Sequence, residues 1–152
     1  MKQIIMCSLL LINLTSHGQK CPMEDVDKWQ TTINSKESKS QIDALTELVA
    51  AAEGDIAQVQ QLINSAKADG KLKINWSLSK EAKKKKYKEV VWDKDVWHEI
   101  KKCRTVYCAL YGEIKAGFYK TPESYSKALE QLEQTRNYLL KAKKKLEPSI
   151  AE

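Results

Sequence analysis

The sequence predicts an all-α protein, an antiparallel bundle of three long helices with a short N-terminal helix and a basic helical or extended crossover. Three observations indicate this fold class. In three segments, apolar residues recur at alternating gaps of three and four, which places them along one side of an α-helix. Helix breakers are scarce, with three prolines and five glycines in 152 residues. Residues typical of helix starts and stops flank the three segments.

The short N-terminal helix is predicted to begin at Pro22. Proline and the following Glu24 are favourable in the first turn of a helix, and this helix would carry Val26, Trp29 and Ile33. The polar residues after Ile33 then interrupt the helical pattern.

The first long helix is predicted to run from Ser40 to the Asp69-Gly70 pair. Ser40 with Asp43 three residues later resembles a capping box, and Gly70 is a typical residue after a helix end. Roughly 27 residues at a rise of 1.5 Å make this helix about 40 Å long. Its predicted apolar seam is Ile42, Leu45, Val49, Ala52, Ile56, Val59, Ile63 and Ala66.

The crossover follows, and it breaks the helical pattern. From Leu72 to Leu78 apolar and polar residues alternate, which is the period of a β-strand. A lone strand is marginal in water, so we expect an extended crossover with its apolar side on the bundle. A shallow hairpin or edge pairing between two copies is the alternative. The segment from Ser79 to Val91 is predicted to be a basic helix.

The last two helices are predicted to be neighbours. Asp93 caps a helix that runs to about Gly117, and Thr121-Pro122-Glu123 begins a helix that stops before Pro148. Each would be about 37 to 39 Å long, and the short connection between them requires an antiparallel hairpin. Their predicted seams are Val96, Ile100, Cys103, Tyr107, Leu110 and Ile114, and Tyr125, Ala128, Leu132, Thr135, Leu139, Ala142 and Leu146.

Residues 1–18 are predicted to be a cleaved signal peptide. Lys2 precedes an apolar run over 4–11, and the run ends in the pattern Ser16-His17-Gly18. The run is shorter than the roughly 20 residues that span a bilayer, so we expect a protein that is secreted or periplasmic. A buried N-terminal helix or a retained anchor is the alternative. An N-terminal arm (19–39) and one helical bundle domain (40–148) would follow.

Three cysteines remain after the leader, which contains Cys7. In an oxidising compartment an odd count implies a bridge plus a free thiol or a bridge between chains. Cys103 and Cys108 are five positions apart on a helix, a rotation of about 140°, so they should not face each other. The sequence favours a disulfide between Cys21 and Cys108, with Cys21 and Cys103 as the alternative. Cys103 lies on the seam, where a buried cysteine is expected.

A second face of the helix after Asp93 carries Trp97, Arg104 and Tyr111. Trp, Tyr and Arg are over-represented at the anchors of protein interfaces, so these three residues are candidates for binding another protein. The alternative is that this face belongs to the core of the bundle, because helices in globular proteins bury more residues than those of a strict seam.

Positive charge is concentrated in the segment from Lys80 to Lys88, and the chain as a whole has a formal net charge of +6. Four consecutive lysines sweep about 300° of a helix, so a solvated segment is the simplest interpretation. Anionic lipid or glycan is the alternative partner. Nucleic acid is not expected as a partner, because the sequence has only two arginines, Arg104 and Arg136, and arginine makes the bidentate contacts to phosphates and bases. The candidate surface-binding residues are Lys83, Lys84, Lys85, Lys86 and Lys88.

Catalytic and cofactor motifs are not evident. His98 is the only histidine after the leader, and Cys103 is rotated away from it although Glu99 is adjacent. We therefore expect no enzyme activity, no metal and no cofactor.

These observations predict an exported, non-catalytic helical protein that binds other proteins or itself. At the level of architecture, it is similar to minor subunits of bacterial conjugative secretion machines and to small secreted helical effectors. The similarity implies a structural or adaptor subunit of a cell-envelope or secretion assembly. The alternative is a secreted surface-binding module that uses the basic segment on anionic lipid or glycan.

Overall fold

The computed structural model describes residues 21–65 and 72–151, with side chains as far as residue 147. This part of the chain is mostly helical and contains one small two-stranded sheet, which confirms the predicted all-α class. The elements in chain order are a 3₁₀ helix Glu24–Lys28, β1 Gln30–Thr32, α1 Ser38–Ser65, α2 Ser77–Ala82, α3 Lys85–Glu89, β2 Val91–Asp93, α4 Lys94–Lys115 and α5 Pro122–Ala151.

Helix α5 forms the centre of the packing, because it lies against both α1 and α4. The seams predicted for α4 and α5 are buried at every position. On α1 the buried side is rotated by one residue at several positions, so that Leu48 and the polar Gln41 and Asp55 are buried, whereas Val49 and Ile56 are only partly buried. The predicted α1 seam is therefore correct at Leu45, Ala52 and Val59 and shifted by one residue at Ile42, Val49 and Ile56, while Ile63 is partly buried and Ala66 lies outside the described residues.

Two of the three long helices begin where the sequence predicts. Asp93 is the residue before α4, and α5 begins at Pro122. Helix α1 begins at Ser38, two residues earlier than predicted, and its predicted end at Asp69-Gly70 lies outside the described residues. The predicted stop of the last helix before Pro148 is wrong. Proline removes one backbone donor, but the helix continues through it to Ala151.

The N-terminal arm differs from the predicted short helix. Its 3₁₀ helix ends at Lys28, and Trp29 has extended backbone angles (φ −73°, ψ 145°), so β1 follows at once. Strand β1 pairs in parallel with β2, with Thr31 opposite Trp92. Val26 lies in the 3₁₀ helix and is buried, as is Trp29 directly after it, whereas Ile33 lies beyond this helix and is 73% exposed.

An aromatic stack lies beside the small sheet. The Trp29 ring stacks on Tyr87 and Trp92, with ring centroids 5.6 and 5.3 Å away and interplanar angles of 21° and 15°. All three side chains are buried, and Trp92 Nε1 donates to the Tyr87 carbonyl oxygen. The stack joins the arm to the segment that leads into α4, and each such pair adds about 0.5–1.5 kcal/mol beyond its buried area.

Residues 72–76 of the crossover belong to no helix or strand, because Ser77 begins α2, and Trp76 is in the left-handed region. Leu72 is buried and its backbone N–H donates to the Tyr119 carbonyl oxygen, while Ile74 and Trp76 pack partly buried against the core. No strand pairing occurs in these residues; the strands that do pair are β1 and β2.

The single basic helix predicted from Ser79 to Val91 is wrong. It is divided into α2 and α3, because Lys84 has extended backbone angles (φ −64°, ψ 139°), and Val91 belongs to β2.

Residues 1–18, where a signal peptide is predicted, lie outside the described part. None of the described helices is both long and apolar enough to cross a membrane.

Candidate functional site

A buried carboxylate on α1 holds the crossover against the bundle. Asp55 is fully buried and accepts hydrogen bonds from the backbone N–H groups of Ser77 (2.7 Å) and Leu78 (3.1 Å) and from the Tyr107 hydroxyl (2.6 Å). The first two N–H groups of α2 have no partner within the helix, so Asp55 caps that helix from outside. Burial and the neighbouring Asp55 charge raise the pKa of Tyr107, which keeps this donor protonated.

Two glutamines on α1 complete this attachment. Gln58 Oε1 accepts the Asn75 backbone N–H at 2.7 Å, and Gln58 Nε2 donates to Ser77 Oγ at 3.5 Å. Gln41 Oε1 accepts the Asp93 N–H at 2.9 Å, which fixes the start of α4. The burial of Asp55 and Gln41 was not predicted, because the predicted α1 seam contains apolar residues alone.

The backbone before α2 is strained. Trp76 has φ 54° and ψ 49°, which is the left-handed backbone conformation. Residues other than glycine adopt it at a cost of about 1–2 kcal/mol. Its ring meets Tyr107 and Tyr111 edge-on, with centroids 5.3 and 4.9 Å away. The cap by Asp55 and these ring contacts together hold Trp76 in place.

Cys21 and Cys108 form a disulfide, with Cα atoms 5.1 Å apart and a separation of 87 positions in sequence. This is the pair that the sequence favoured. Cys103, the alternative partner, is a buried free thiol on the α4 seam, and burial raises its pKa. The disulfide attaches the arm to the outer side of α4.

Trp97, Arg104 and Tyr111 form a row on that side of α4, called the anchor strip below. They are seven residues apart, so neighbours in the row are separated by about 10 Å along the helix. All three are partly buried.

Each member of the anchor strip contacts the arm or the crossover. Trp97 Nε1 donates to the Val26 carbonyl oxygen at 3.3 Å, and Arg104 pairs with Asp27 at 3.0 Å. Tyr111 meets the Trp76 ring. The structure thus gives these residues a role within the chain, and their binding to another protein stays a prediction.

The lysines of the basic segment fall into two groups. Three of them are in ion pairs: Lys84 with Glu81 at 3.0 Å, Lys86 with Glu47 at 2.6 Å and Glu81 at 3.6 Å, and Lys88 with Asp25 at 3.9 Å. Within the described residues, Lys80, Lys83 and Lys85 are exposed and have no ion pair.

Glu81 lies at the centre of the paired group. Burial raises its pKa, but hydrogen bonds from the Tyr87 hydroxyl and Lys84, with the charge of Lys86, outweigh burial and lower it overall. Glu81 therefore stays ionised and pairs with both Lys84 and Lys86.

Clefts open on both sides of the crossover. The cleft on the arm side has a volume of about 450 Å³ and is lined by Cys21, Pro22, Glu24, Ile74, Asn75, Trp76, Ser79, Lys80, Lys83 and Tyr111. The cleft on the other side has a volume of about 530 Å³ and is lined by Leu72, Lys73, Ile74, Asn75, Trp76, Ile114 and Lys115. They share Ile74, Asn75 and Trp76, so together we call them the crossover clefts. The sequence did not indicate them, because their walls come from four separate segments.

His98, Glu99 and Cys103 do not form a site. His98 is exposed, whereas Glu99 and Cys103 are buried. Among the described residues, no group of histidine, cysteine, aspartate and glutamate is arranged to hold a metal ion.

Glu99 instead joins α4 to α5. Its Oε1 accepts from Lys145 at 3.2 Å and from Lys102 at 3.4 Å. Burial raises the Glu99 pKa, but these two hydrogen bonds outweigh it, so the pKa is lowered overall.

Compared with known protein families, with curated proteins and with solved structures, the chain matches none of them.

Proposed function

We propose that this chain is an exported, non-catalytic helical protein that binds another protein or a second copy of itself. Its role would be that of a structural or adaptor subunit in a cell-envelope or secretion assembly, such as a conjugative one. The three long helices would form the antiparallel bundle that the seams predict. The signal-peptide pattern in residues 1–18 and the disulfide pair support an oxidising compartment.

The anchor strip is the observation that carries this proposal. Trp97, Arg104 and Tyr111 are of the residue types that dominate binding energy at interfaces, and each is partly exposed. Each is also held by a contact within the chain, so little side-chain freedom is left to lose on binding. A row of rigid anchors about 20 Å long suits a helix or a flat protein surface.

The test compares two double variants by light scattering during size-exclusion chromatography. The purified protein is measured over a range of concentrations, alone and with the products of neighbouring genes. We expect Arg104→Ala with Tyr111→Ala to weaken association at least tenfold, or about 1.4 kcal/mol. Arg136→Ala with Tyr138→Ala is the matched control, because these residues are also partly buried but lie on α5.

The control pair should change association less than about twofold. Equal effects of the two double variants would remove the anchor strip from the proposal. A wild-type protein that stays monomeric under every condition, with each of those partners, would refute protein binding itself.

A second candidate function is binding to an anionic surface through the basic segment. It is favoured by the exposed Lys80, Lys83 and Lys85, which have no ion pair in the described part of the chain. A lysine near an anionic membrane contributes about 1 kcal/mol, so each lysine changed to glutamine should weaken binding about fivefold. Co-sedimentation with vesicles containing phosphatidylglycerol at low salt measures this. Absence of binding at low salt would exclude vesicles as the surface.

A further inference from the structure

We propose that the crossover clefts bind an acidic oligosaccharide, a chain of sugars that carry carboxylate groups. This inference rests on the second candidate function and names the ligand class for one part of the basic segment. It separates the lysines that line a cleft, Lys80 and Lys83, from Lys85, which does not.

The charge of the clefts favours an anionic ligand. Lysines stand on both sides of the crossover: Lys80 and Lys83 on the arm side, and Lys73 and Lys115 on the other side. Among the described residues that line the two clefts, Glu24 is the one acidic residue. Lys73, Lys80 and Lys83 are exposed and have no ion pair among the described residues, so their charges are free to meet a carboxylate.

The remaining lining residues favour a sugar over other anions. Trp76 and Tyr111 supply partly exposed aromatic surface, which packs against the C–H groups of a sugar ring. The exposed Asn75 side chain makes no hydrogen bond within the described residues, and its amide can both donate to and accept from hydroxyl groups. A linear acidic peptide needs neither feature, and a flat lipid surface would not enter a cleft.

The backbone also supports a binding role at this point. Trp76 is in the left-handed region, and strained residues of this kind cluster at functional sites when the surrounding structure holds them. Here the Asp55 cap and the Tyr107 ring hold it. The aromatic surface is therefore fixed before any ligand arrives, which lowers the entropy lost on binding.

The experiment measures binding of a galacturonate hexamer to the purified, disulfide-bonded chain by isothermal titration calorimetry at low salt. We expect Lys80→Gln with Lys83→Gln to weaken binding at least tenfold. Lys85→Gln with Lys94→Gln is the matched control, because both lysines are exposed, lie outside the clefts and make no ion pair with any residue that the structure describes. The control should weaken binding less than about twofold.

Two further variants keep the test independent of charge. Asn75→Ala removes an exposed side chain and leaves its backbone hydrogen bond to Gln58 in place, so the fold is retained and hexamer binding weakens about fivefold. Binding should also change the tryptophan emission, and Trp76→Phe should remove that change. Retained far-ultraviolet circular dichroism shows that each variant is folded.

The outcomes separate this inference from the function on which it rests. Equal losses in the two lysine pairs, equal binding of hexaglutamate, or unchanged binding by Asn75→Ala would overturn the clefts as a sugar site. Vesicle binding without hexamer binding would overturn the inference and leave the surface-binding function standing. Binding of neither probe would overturn both.

Discussion

Replacement of Asp55 should test whether one carboxylate holds the crossover. In the variant Asp55→Ala, two backbone N–H groups of α2 and the Tyr107 hydroxyl lose their common acceptor. A hydrogen bond to a charged group contributes about 1.5–3 kcal/mol, and a buried donor left without a partner costs about 1–3 kcal/mol. The three contributions overlap, because water can reach a vacated polar site, so we expect a loss of about 4 kcal/mol in the free energy of unfolding.

A double-mutant cycle refines this expectation. Tyr107→Phe removes one of the three bonds and should cost about 1–2 kcal/mol, since Asp55 keeps its two backbone donors. The double variant should cost at least about 1 kcal/mol less than the sum of the single losses, because both single changes break the same bond.

The assay is urea-induced unfolding followed by circular dichroism and tryptophan fluorescence. Asp43→Ala is the control, because Asp43 is on the same helix but exposed, and it should change stability by less than about 0.5 kcal/mol. If Asp55→Ala also cost less than about 1 kcal/mol, the carboxylate would not be a structural acceptor and the argument would fail.

Three more predictions concern the disulfide, a buried acid and a tyrosine. Replacing Cys21 and Cys108 by alanine should lower the free energy of unfolding by about 2–4 kcal/mol in urea titrations, because the disulfide closes a long loop and so restricts the unfolded chain. A loss below about 0.5 kcal/mol would contradict this. Glu99 has a lowered pKa, so its stabilisation is present above its ordinary value of 4.5 and is lost as pH falls below it. Urea midpoints measured from pH 7 to 3 should therefore fall less steeply in Glu99→Gln than in the wild type, and parallel curves would contradict the assignment. Burial and the hydrogen bond to Glu113 raise the pKa of Tyr119 to about 12, so its stabilisation is present below pH 10 and is lost as pH rises toward 12. Tyr119→Phe should reduce alkaline unfolding in that range, and an unchanged alkaline transition would show that Tyr119 is not the group responsible.

The helical content and most of the core could be predicted from the sequence because the period of a buried helix face is local information. Every predicted seam residue of α4 and α5 is buried, including Thr135. The Thr135 hydroxyl donates a hydrogen bond to the backbone carbonyl oxygen of Gln131 in the preceding turn. The seam of α1 was harder, because Asp55 and Gln41 are buried polar residues whose partners lie 22 or more positions away.

Two of the errors involve pairing between distant segments. Gln30 to Thr32 form a strand because they pair with Val91 to Asp93, which lie some 60 positions later in the sequence. No local sequence pattern indicates that pairing. The break at Lys84 has a similar origin, because β2 and the aromatic stack fix where the segment before α4 must lie.

The candidate site was predictable only in part. The cysteine pair followed from helix geometry, since the rotation between Cys103 and Cys108 excluded one bridge and the seam made Cys103 the less favoured partner for Cys21. The division of the lysines into paired and unpaired groups did not follow, because the partners Glu47 and Asp25 come from α1 and the arm. The clefts beside Trp76 depend on a backbone conformation that sequence patterns do not reveal.

The Cys21–Cys108 bond closes a covalent ring, and the segment after Cys108 lies outside it. The ring contains α1, α2, α3, β2 and most of α4, whereas α5 lies wholly outside it. A single cut by a protease anywhere between the two cysteines would leave one covalent molecule until a reductant was added. Helix α5, although it packs between α1 and α4, is the one long helix that a single backbone cut in the α4–α5 connection could release.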